Sequence, residues 1–533
     1  MFRVLVTDDV DQEGLALLSA EPLLQVDEVP TLPKDELLTR IGDYDAIVGR
    51  SATRISAELL KAGTKLKVVG RAGVGVDNVA IDTATSLGIA VINAPAGNTI
   101  AVAELFFGAT IGLLRQIPRA QSVMENGRWD RNTFLGRELK GKTLGIVGLG
   151  RIGSEVATRA HAFGMSVVAF DPYIADERFT ALRVRRAPSL DSLLAETNVL
   201  TLHVPLTDET KGMIGKRELS RLPNRSVVVN MARGGIVDEA ALLAALEGEQ
   251  LRGAVLDVFD AEPLTADSPL RKAPNLILLP HLGANTVEAQ RNVSRDVCLA
   301  VRDALLRNDL SKSINVAGGA GEWGELQPAM LVARRAAAVA RAVLADQGMR
   351  AVRRVALRVS PDIAHGTGAL LAAAAAGVLE GVIETDRLNL INARALAEAR
   401  GLELSVGESS ELGSRTVEVA LAGGMQQLAV TGTAPEGGTP RLTQIGSFHI
   451  DVNPRQTLLI LTNHDVPGVI GRVGTLLGEQ HVNIAEYHQA RLAQGGDALA
   501  AVSVDGEVSE STRQALLQLP DVLTASVVQF RSE

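Results

Sequence analysis

From Met1 to about Ala94, short Val/Ile-rich runs ("FRVLVTD", "DAIVGR", "KVVGRAG", "AVINAP") take turns with stretches of helical periodicity. A second series begins near Thr143 with "TLGIVGLG" and continues through "SVVAFDP", "VLTLHVP", "SVVVNMA", "AVLDVF" and "LILLPH". Runs that are apolar at nearly every position belong to strands covered on both faces, and strands separated by helices pair in parallel. The alternation therefore predicts two doubly wound α/β sheets. Aromatic residues make up only 3 % of the chain, so Ala, Val and Leu must fill the cores.

Two helical stretches separate the series. One is apolar and spans about Ile100–Ile117; the other, after Ala284, runs to about Leu306. Read as two crossings, they make the second series an insertion in the first. The expected organisation is a discontinuous, flavodoxin-like substrate-binding domain over 1–98 and 285–315, with a Rossmann-like domain over 99–284. With 533 residues and about 150 per domain, more must follow. The glycine-rich "NVAGGAGEWGELQ", Asn315–Gln327, reads as a linker. An α+β intervening domain is expected over 320–450. Residues 456–533 read strand, helix, strand, strand, helix, strand, the βαββαβ order of a ferredoxin-like sandwich.

Composition narrows the function classes. A net charge of −9 argues against nucleic acid as a partner. The single cysteine, Cys298, excludes an internal disulfide and a cysteine-built metal site, and reads as a small buried hydrophobe. No metal is expected. The start, "MFRVLVTDDVDQEG", turns acidic too early for a secretory signal. The longest stretch without a polar side chain, Gly368–Leu379, is too short to span a bilayer. A soluble cytoplasmic protein, bound neither to nucleic acid nor to membrane, is expected by elimination.

The stretch "GKTLGIVGLGRIGSEV", Gly141–Val156, contains the spacing Gly148-x-Gly150-x-x-Gly153. A glycine triplet alone is a weak signal. Here an apolar strand precedes it, a helix pattern follows, and Asp171 sits 18 residues beyond Gly153 at the end of the next strand. Backbone N–H groups of such a loop approach a pyrophosphate, and the acidic residue accepts from the adenosine ribose hydroxyls. Its charge disfavours an added 2′-phosphate, so NAD is expected over NADP. The competing reading is a structural turn with a capping aspartate.

Three further sites follow strands of the same series: Arg233 in "NMARGGIVDE", Asp257 and Glu262 in "LDVFDAEP", and His281 in "PHLGAN". In a doubly wound sheet these strand ends face the ligand crevice. Arg, Glu and His suit oxidation of a 2-hydroxy acid. Imidazole takes the alcohol proton, a carboxylate on its other nitrogen orients the ring, and a guanidinium forks onto the substrate carboxylate. Blander readings stand beside these: His281 as a helix cap, Glu262 as a loop residue, and Arg233 paired with Asp238 or Asp257.

Together "GLGRIG", "NMARGGIVDE", "LDVFDAEP" and "PHLGA" resemble the signatures of the D-isomer-specific 2-hydroxyacid dehydrogenases. "RSAT", "GRAGVGVDN", "NAPAGNTIAVAE" and the C-terminal segments resemble the long-form members that oxidise 3-phospho-D-glycerate at the entry to serine biosynthesis. The resemblance implies His281 as base, Glu262 as its partner and Arg233 as carboxylate anchor. It implies cofactor contacts at Gly148, Gly150, Arg151, Ile152, Gly153, Asp171, Val204, Met231, Ala232, Asp257, Gly283 and Ala284, with Asp257 on the nicotinamide carboxamide. A substrate phosphate needs cations, and Arg50 and Arg71, each after an apolar strand of the first series, are the candidates, with a surface ion pair as the alternative; the backbone around Gly73, Val74, Gly97 and Asn98 is a candidate for the carboxylate. Some members carry threonine where Val74 and Val204 stand.

The last segment resembles an ACT domain, a small-molecule sensor. The resemblance implies L-serine as effector, held by Asn463, Asp465 and Asn483, and a homotetramer. The alternative for Asp465 is ordinary helix capping. Arg334, Arg335 and Arg341 are candidates for an anion or for a solvated helix face. Two rivals remain at this point: another hydroxyacid (glyoxylate, hydroxypyruvate or D-lactate), and a dinucleotide-sensing scaffold. A side reaction on 2-hydroxyglutarate or 2-oxoglutarate is also expected, since a carboxylate mimics the phosphate.

Overall fold

The computed structural model describes residues 1–316, 323–349, 351–382 and 387–530. Strands β1 (Phe2–Val6), β2 (Leu24–Glu28), β3 (Ala46–Gly49), β4 (Val68–Arg71) and β5 (Ala90–Asn93) form a parallel sheet in the order β2-β1-β3-β4-β5. That is the flavodoxin-like order. The sequence reading has no strand at β2. Its "LQVDE" is an edge strand with one buried residue, so it carries no apolar run.

Seven strands form the second sheet: β6 (Thr143–Val147), β7 (Ser166–Phe170), β8 (Arg185–Arg186), β9 (Val199–Leu202), β10 (Ser226–Asn230), β11 (Leu251–Leu256) and β12 (Leu276–Leu278). All pair in parallel, in the order β12-β11-β10-β9-β6-β7-β8. This is the Rossmann order with one strand added at the β12 edge. The six expected runs are all strands. β8, two exposed arginines at the opposite edge, has no sequence signal.

The crossings are helices Thr99–Leu114 and Val287–Arg307. The first ends earlier than expected, because Gln116 turns left-handed (φ 54°) and a second helix, Ile117–Glu125, leaves at 62°. The return helix is capped by Thr286, whose hydroxyl accepts from Ala289 N at 3.1 Å, and stopped by left-handed Asn308. Its Val293, Val297 and Val301 pack into the first sheet's core beside buried Cys298. Asn315 then stitches the chain to β5: its Nδ2 donates to Ile89 O at 2.9 Å and its Oδ1 accepts from Val91 N at 2.9 Å. Of the expected linker, residues 317–322 lie outside the described residues.

A third sheet comprises β13 (Arg354–Val359), β14 (Glu403–Glu408), β15 (Thr416–Gly423), β16 (Gln426–Thr433), β17 (Arg441–Ile445) and β18 (Phe448–Val452), in the order β14-β13-β15-β16-β17-β18. Helices Trp323–Asp346 and Thr367–Leu379 contribute buried alanines to the core beside it. The second of these corrects the expectation that the apolar stretch is too short for a bilayer. Joined to the 3-10 turn Pro361–Gly366 it reaches 19 residues and passes by length and composition, and 72 % of the tested window is buried inside the protein.

The fourth sheet, β19 (Thr457–His464), β20 (Asn483–Arg491), β21 (Asp497–Asp505) and β22 (Val522–Gln529), has the order β20-β21-β19-β22. Helices Val469–Glu479 and Glu510–Leu517 complete a βαββαβ succession. One buried apolar cluster runs from Val4 and Ile92 through Val355 and Val419 to Ile460 and Val528. The first, third and fourth sheets therefore share a core, while the second keeps its own clusters.

Candidate active site

The turn after β6 lies where the strand order of the second sheet reverses, between β6 and β9, which is where such sheets bind ligands. Gly148 adopts φ 90°, and a β-carbon on it would stand 2.5 Å from His203 O. At Gly153 a β-carbon would stand 2.2 Å from Gly148 O, so these two glycines bring helix and strand into contact. Gly150 differs: beyond its chain neighbours, no atom of the described residues lies within 4 Å of its β-carbon position. It precedes helix Arg151–Ala162 and offers no side-chain cap, leaving the first N–H groups for an anion. Asp171 accepts from Leu149 N at 2.8 Å and Tyr173 N at 3.0 Å, which fixes its carboxylate beside the loop. An open glycine, an uncapped helix start and an anchored acid fit a dinucleotide. Exposed Arg151 and half-buried Ile152 open the helix, Val204 packs 2.8 Å from the Gly148 β-carbon position, and Met231 and Ala232 are buried.

Asp257 follows β11 and is buried. Its two carboxylate oxygens accept from Leu282 N at 2.7 Å and Gly283 N at 2.8 Å. Burial pushes its pKa up, and these two N–H groups oppose the shift. The structure therefore shows Asp257 holding the turn that presents His281, rather than exposed for a carboxamide alone. Ala284 O accepts from Gln290 Nε2 at 2.6 Å, tying the same turn to the return helix. His281 has φ 56°, a conformation uncommon outside glycine and worth noting at a candidate site. Its Nδ1 lies 2.7 Å from Glu262 Oε2, while Glu262 Oε1 accepts from Phe259 N at 3.1 Å. The ring is oriented through Nδ1, and the side chain is half-exposed. His281 caps no helix; Thr286 does that.

Arg233 pairs with neither Asp238 nor Asp257. Asp238 caps helix Glu239–Glu247 by accepting from Ala241 N at 3.0 Å. Arg233 Nε instead donates to Asp77 Oδ2 at 3.0 Å, reaching the turn after β4 of the first sheet. Arg71, from the end of β4, lies against the same turn: a β-carbon on Gly73 would stand 1.4 Å from its Nη1. Its Nε is buried without a hydrogen-bond partner among the described residues. Burial first, then the like charges of Arg233 and Arg50, push the Arg71 guanidinium down to about 10, still protonated at neutral pH. Arg50 N donates to Asp8 at 2.8 Å, and Arg50 O accepts from Asn78 Nδ2 at 2.9 Å, so its backbone is fixed at the end of β3. Val74 O accepts from Asn93 Nδ2 at 2.6 Å. The cation cluster thus draws on both sheets.

Gly97 and Asn98 sit at the first crossing. A β-carbon on Gly97 would stand 2.5 Å from Val293 of the return helix, and Asn98 Oδ1 is buried without a partner among the described residues. Three residues escape the sequence reading. Asp77 is one. Asn230 is another: its Nδ2 donates to Arg233 O at 2.8 Å and its Oδ1 accepts from Ala232 N at 3.1 Å, shaping the turn that carries Arg233. The third is His203, whose Nε2 lies 3.0 Å from Thr201 Oγ1 and whose burial pushes its pKa down to about 3, a neutral ring. "NMARGG" and "HVP" at strand ends are the signals for the last two.

The residues expected to hold serine do not converge within the chain. Asn463 pairs with Ala498 on β21 and Asn483 with Asp505, seven positions away, or about 23 Å along the strand. Asn463 Nδ2 donates to His464 O at 2.8 Å, and Asn483 Nδ2 to Asp505 Oδ2 at 2.7 Å. Asp465 caps no helix; it accepts from Arg491 Nη1 at 3.1 Å and Gly495 N at 3.3 Å, while left-handed Gly468 precedes the helix. Of the anion candidates, Arg334 pairs with Glu380 at 3.2 Å, Arg335 bonds Pro454 O and covers the Phe530 ring, and Arg341 is partly buried.

The family described as D-isomer specific 2-hydroxyacid dehydrogenase, NAD binding domain, matches residues 107–283. A D-3-phosphoglycerate dehydrogenase of Synechocystis sp. is 38 % identical over 99 % of this chain and 95 % of its own length. A protein of the same name from Bacillus subtilis is 38 % identical over 99 % of this chain and its entire length. Among solved structures, a glyoxylate reductase from Paecilomyes thermophila aligns with TM-score 0.54 and 32 % identity over 59 % of this chain and 98 % of its own. An NAD-dependent formate dehydrogenase from Staphylococcus aureus, in complex with NAD, aligns with TM-score 0.51 and 28 % identity over 57 % of this chain and 96 % of its own. The chain belongs to the D-isomer-specific 2-hydroxyacid dehydrogenases, a family of NAD-dependent oxidoreductases, and within it to the group of the full-length D-3-phosphoglycerate dehydrogenases.

Proposed function

We propose that the protein oxidises 3-phospho-D-glycerate to 3-phosphooxypyruvate, the first step of serine biosynthesis. The observation that carries the reading is the His281–Glu262 contact of 2.7 Å beside a dinucleotide loop, with the Arg71 and Arg233 guanidinium groups against one turn, over Gly73 and Gly75. Gly148, Gly150 and Gly153 would hold NAD by its pyrophosphate and Asp171 by its adenosine ribose, and the cofactor would supply the hydride acceptor. His281 Nε2 takes the proton of the C2 hydroxyl. Glu262 keeps Nδ1 engaged and stabilises the imidazolium that results. Arg233 grips the substrate carboxylate and stabilises charge growing on the C2 oxygen. Arg71 and Arg50 take the phosphate, and backbone at Gly73 and Val74 meets the carboxylate.

On this reading residues 1–98 with 285–315 bind substrate, 99–284 bind NAD, 320–450 serve regulation or assembly, and 456–533 form an ACT-type sensor. The working form is a cytoplasmic homotetramer inhibited by L-serine, with a weaker reaction on 2-hydroxyglutarate or 2-oxoglutarate. The βαββαβ succession supports the sensor; the separation of Asn463 from Asn483 means that the residues of one chain do not form the serine site by themselves.

The test is NADH production by the full-length protein with 3-phosphoglycerate, D-lactate, D-glycerate and 2-hydroxyglutarate, with and without L-serine. Turnover is expected to be fastest on 3-phosphoglycerate. In Arg71→Ala the KM for 3-phosphoglycerate is expected to rise about tenfold, the scale of a lost charge-assisted contact. An equal rise for D-lactate would remove Arg71 from the phosphate, and preference for an unphosphorylated acid would favour the glyoxylate or lactate alternative.

A further inference from the structure

Arg233 is held by two hydrogen bonds and lies over Gly75. Its Nε donates to Asp77 Oδ2 at 3.0 Å, across 156 positions of sequence. Its Nη1 donates to Ala232 O at 2.6 Å, within its own turn. Its Nη2 hangs over Gly75, where a β-carbon would stand 2.0 Å from Nη2 and 2.7 Å from Asp77 Oδ2. Asp77 therefore takes the Nε edge, while the Nη1–Nη2 end keeps donors for a carboxylate. The charged groups acting on neighbouring Arg71 are Arg233, Arg50, Asp77 and Asp8. Asp8 is committed elsewhere: it accepts from Arg50 N, Thr53 N, Thr53 Oγ1 and Thr31 Oγ1. Asp77 is the acid in that set that touches a guanidinium, and its side chain is 64 % exposed.

We propose that Asp77 is a positioning residue for the reaction: it reaches from the first sheet to the second, fixes the roll of the Arg233 guanidinium, and offsets repulsion within the arginine cluster. A substrate with an anion at each end then meets donors already in order. The inference rests on the assignment of Arg233 to the substrate carboxylate. Exposed ion pairs contribute little to folding, so the effect belongs in kinetics rather than stability.

The experiment is a double-mutant cycle on the full-length enzyme, with NAD and 3-phosphoglycerate as substrates and NADH affinity read by fluorescence. Asp77→Asn is expected to lower kcat/KM about tenfold, the scale of one hydrogen bond to a charged group, with NADH affinity unchanged. Asp77→Glu, which keeps the charge, recovers part of the loss. In an Arg233→Lys background, which removes the Nε donor, Asp77→Asn is expected to cost less than about twofold, because partners in contact are not additive. Equal losses in both backgrounds, full activity in Asp77→Asn, or joint loss of NADH affinity overturn the positioning role. Full activity in Arg233→Lys overturns instead the assignment of Arg233, so the two failures are distinguishable.

Discussion

The region where the first two sheets meet, at Arg233 and Asp77, and the surface of the last two use the same materials, arginines and acids near strand ends, and arrange them differently. Around that meeting point four acids hold backbone N–H groups, while Asp77 pairs directly with Arg233 and Glu262 also meets His281. Asp8 holds Arg50 N and Thr53 N, Asp171 holds Leu149 N and Tyr173 N, Asp257 holds Leu282 N and Gly283 N, and Glu262 holds Phe259 N. That leaves guanidinium and imidazole edges open to a ligand. In the C-terminal half arginines close directly on carboxylates: Arg334 on Glu380, Arg441 on Glu486, Arg472 on Asp521, Arg491 on Asp465 and Arg513 on Asp346. A cation whose counter-ion sits on it has little left for a small molecule. A site is therefore recognised less by its charges than by what its acids are bound to.

Three changes break or sharpen that contrast, the largest expected effect first. His281→Ala removes the proton acceptor, and kcat is expected to fall about a hundredfold to ten-thousandfold, with NADH affinity kept; steady-state turnover and NADH fluorescence read both. Unchanged turnover would return His281 to a structural role. Arg71→Ala comes next, with the substrate-selective rise in KM given above. The smallest effect belongs to the C-terminal half. Arg513 donates to Asp346 Oδ1 at 2.7 Å, Glu510 Oε1 at 2.9 Å and Ala525 O at 2.8 Å, joining the fourth sheet to helix Trp323–Asp346. Arg513→Ala is expected to lower stability by about 1–2 kcal/mol in denaturant titration, with kcat on 3-phosphoglycerate held within twofold. A large fall in kcat would show that the two halves are coupled more tightly than their bonding suggests.

How much of this was legible in the sequence follows the same division. β3 and β10 are buried throughout, so their apolar runs declared them, and the residues just beyond the runs, Arg50 and Arg233, were placed at strand ends by position alone. β2 and β8 are edge strands with exposed polar side chains, and no periodicity marks them. His281 and Glu262 were readable because their chemistry needs those residue types beside a nicotinamide. Asp77 was not, because its partner lies 156 positions away on another sheet. Asn463 and Asn483 show the converse: matching residue types suggested one site, and strand register put them at opposite ends of β21.

The central claim is that His281 and Arg233 meet one substrate carbon beside the bound cofactor. A crystal structure of the full-length enzyme with NADH and 3-phosphoglycerate tests it most directly. The account predicts the C2 oxygen within hydrogen-bond distance of His281 Nε2 and the carboxylate on the Nη1–Nη2 end of Arg233. A substrate seated with its phosphate on Arg233, or a His281 ring turned away from C2, contradicts it.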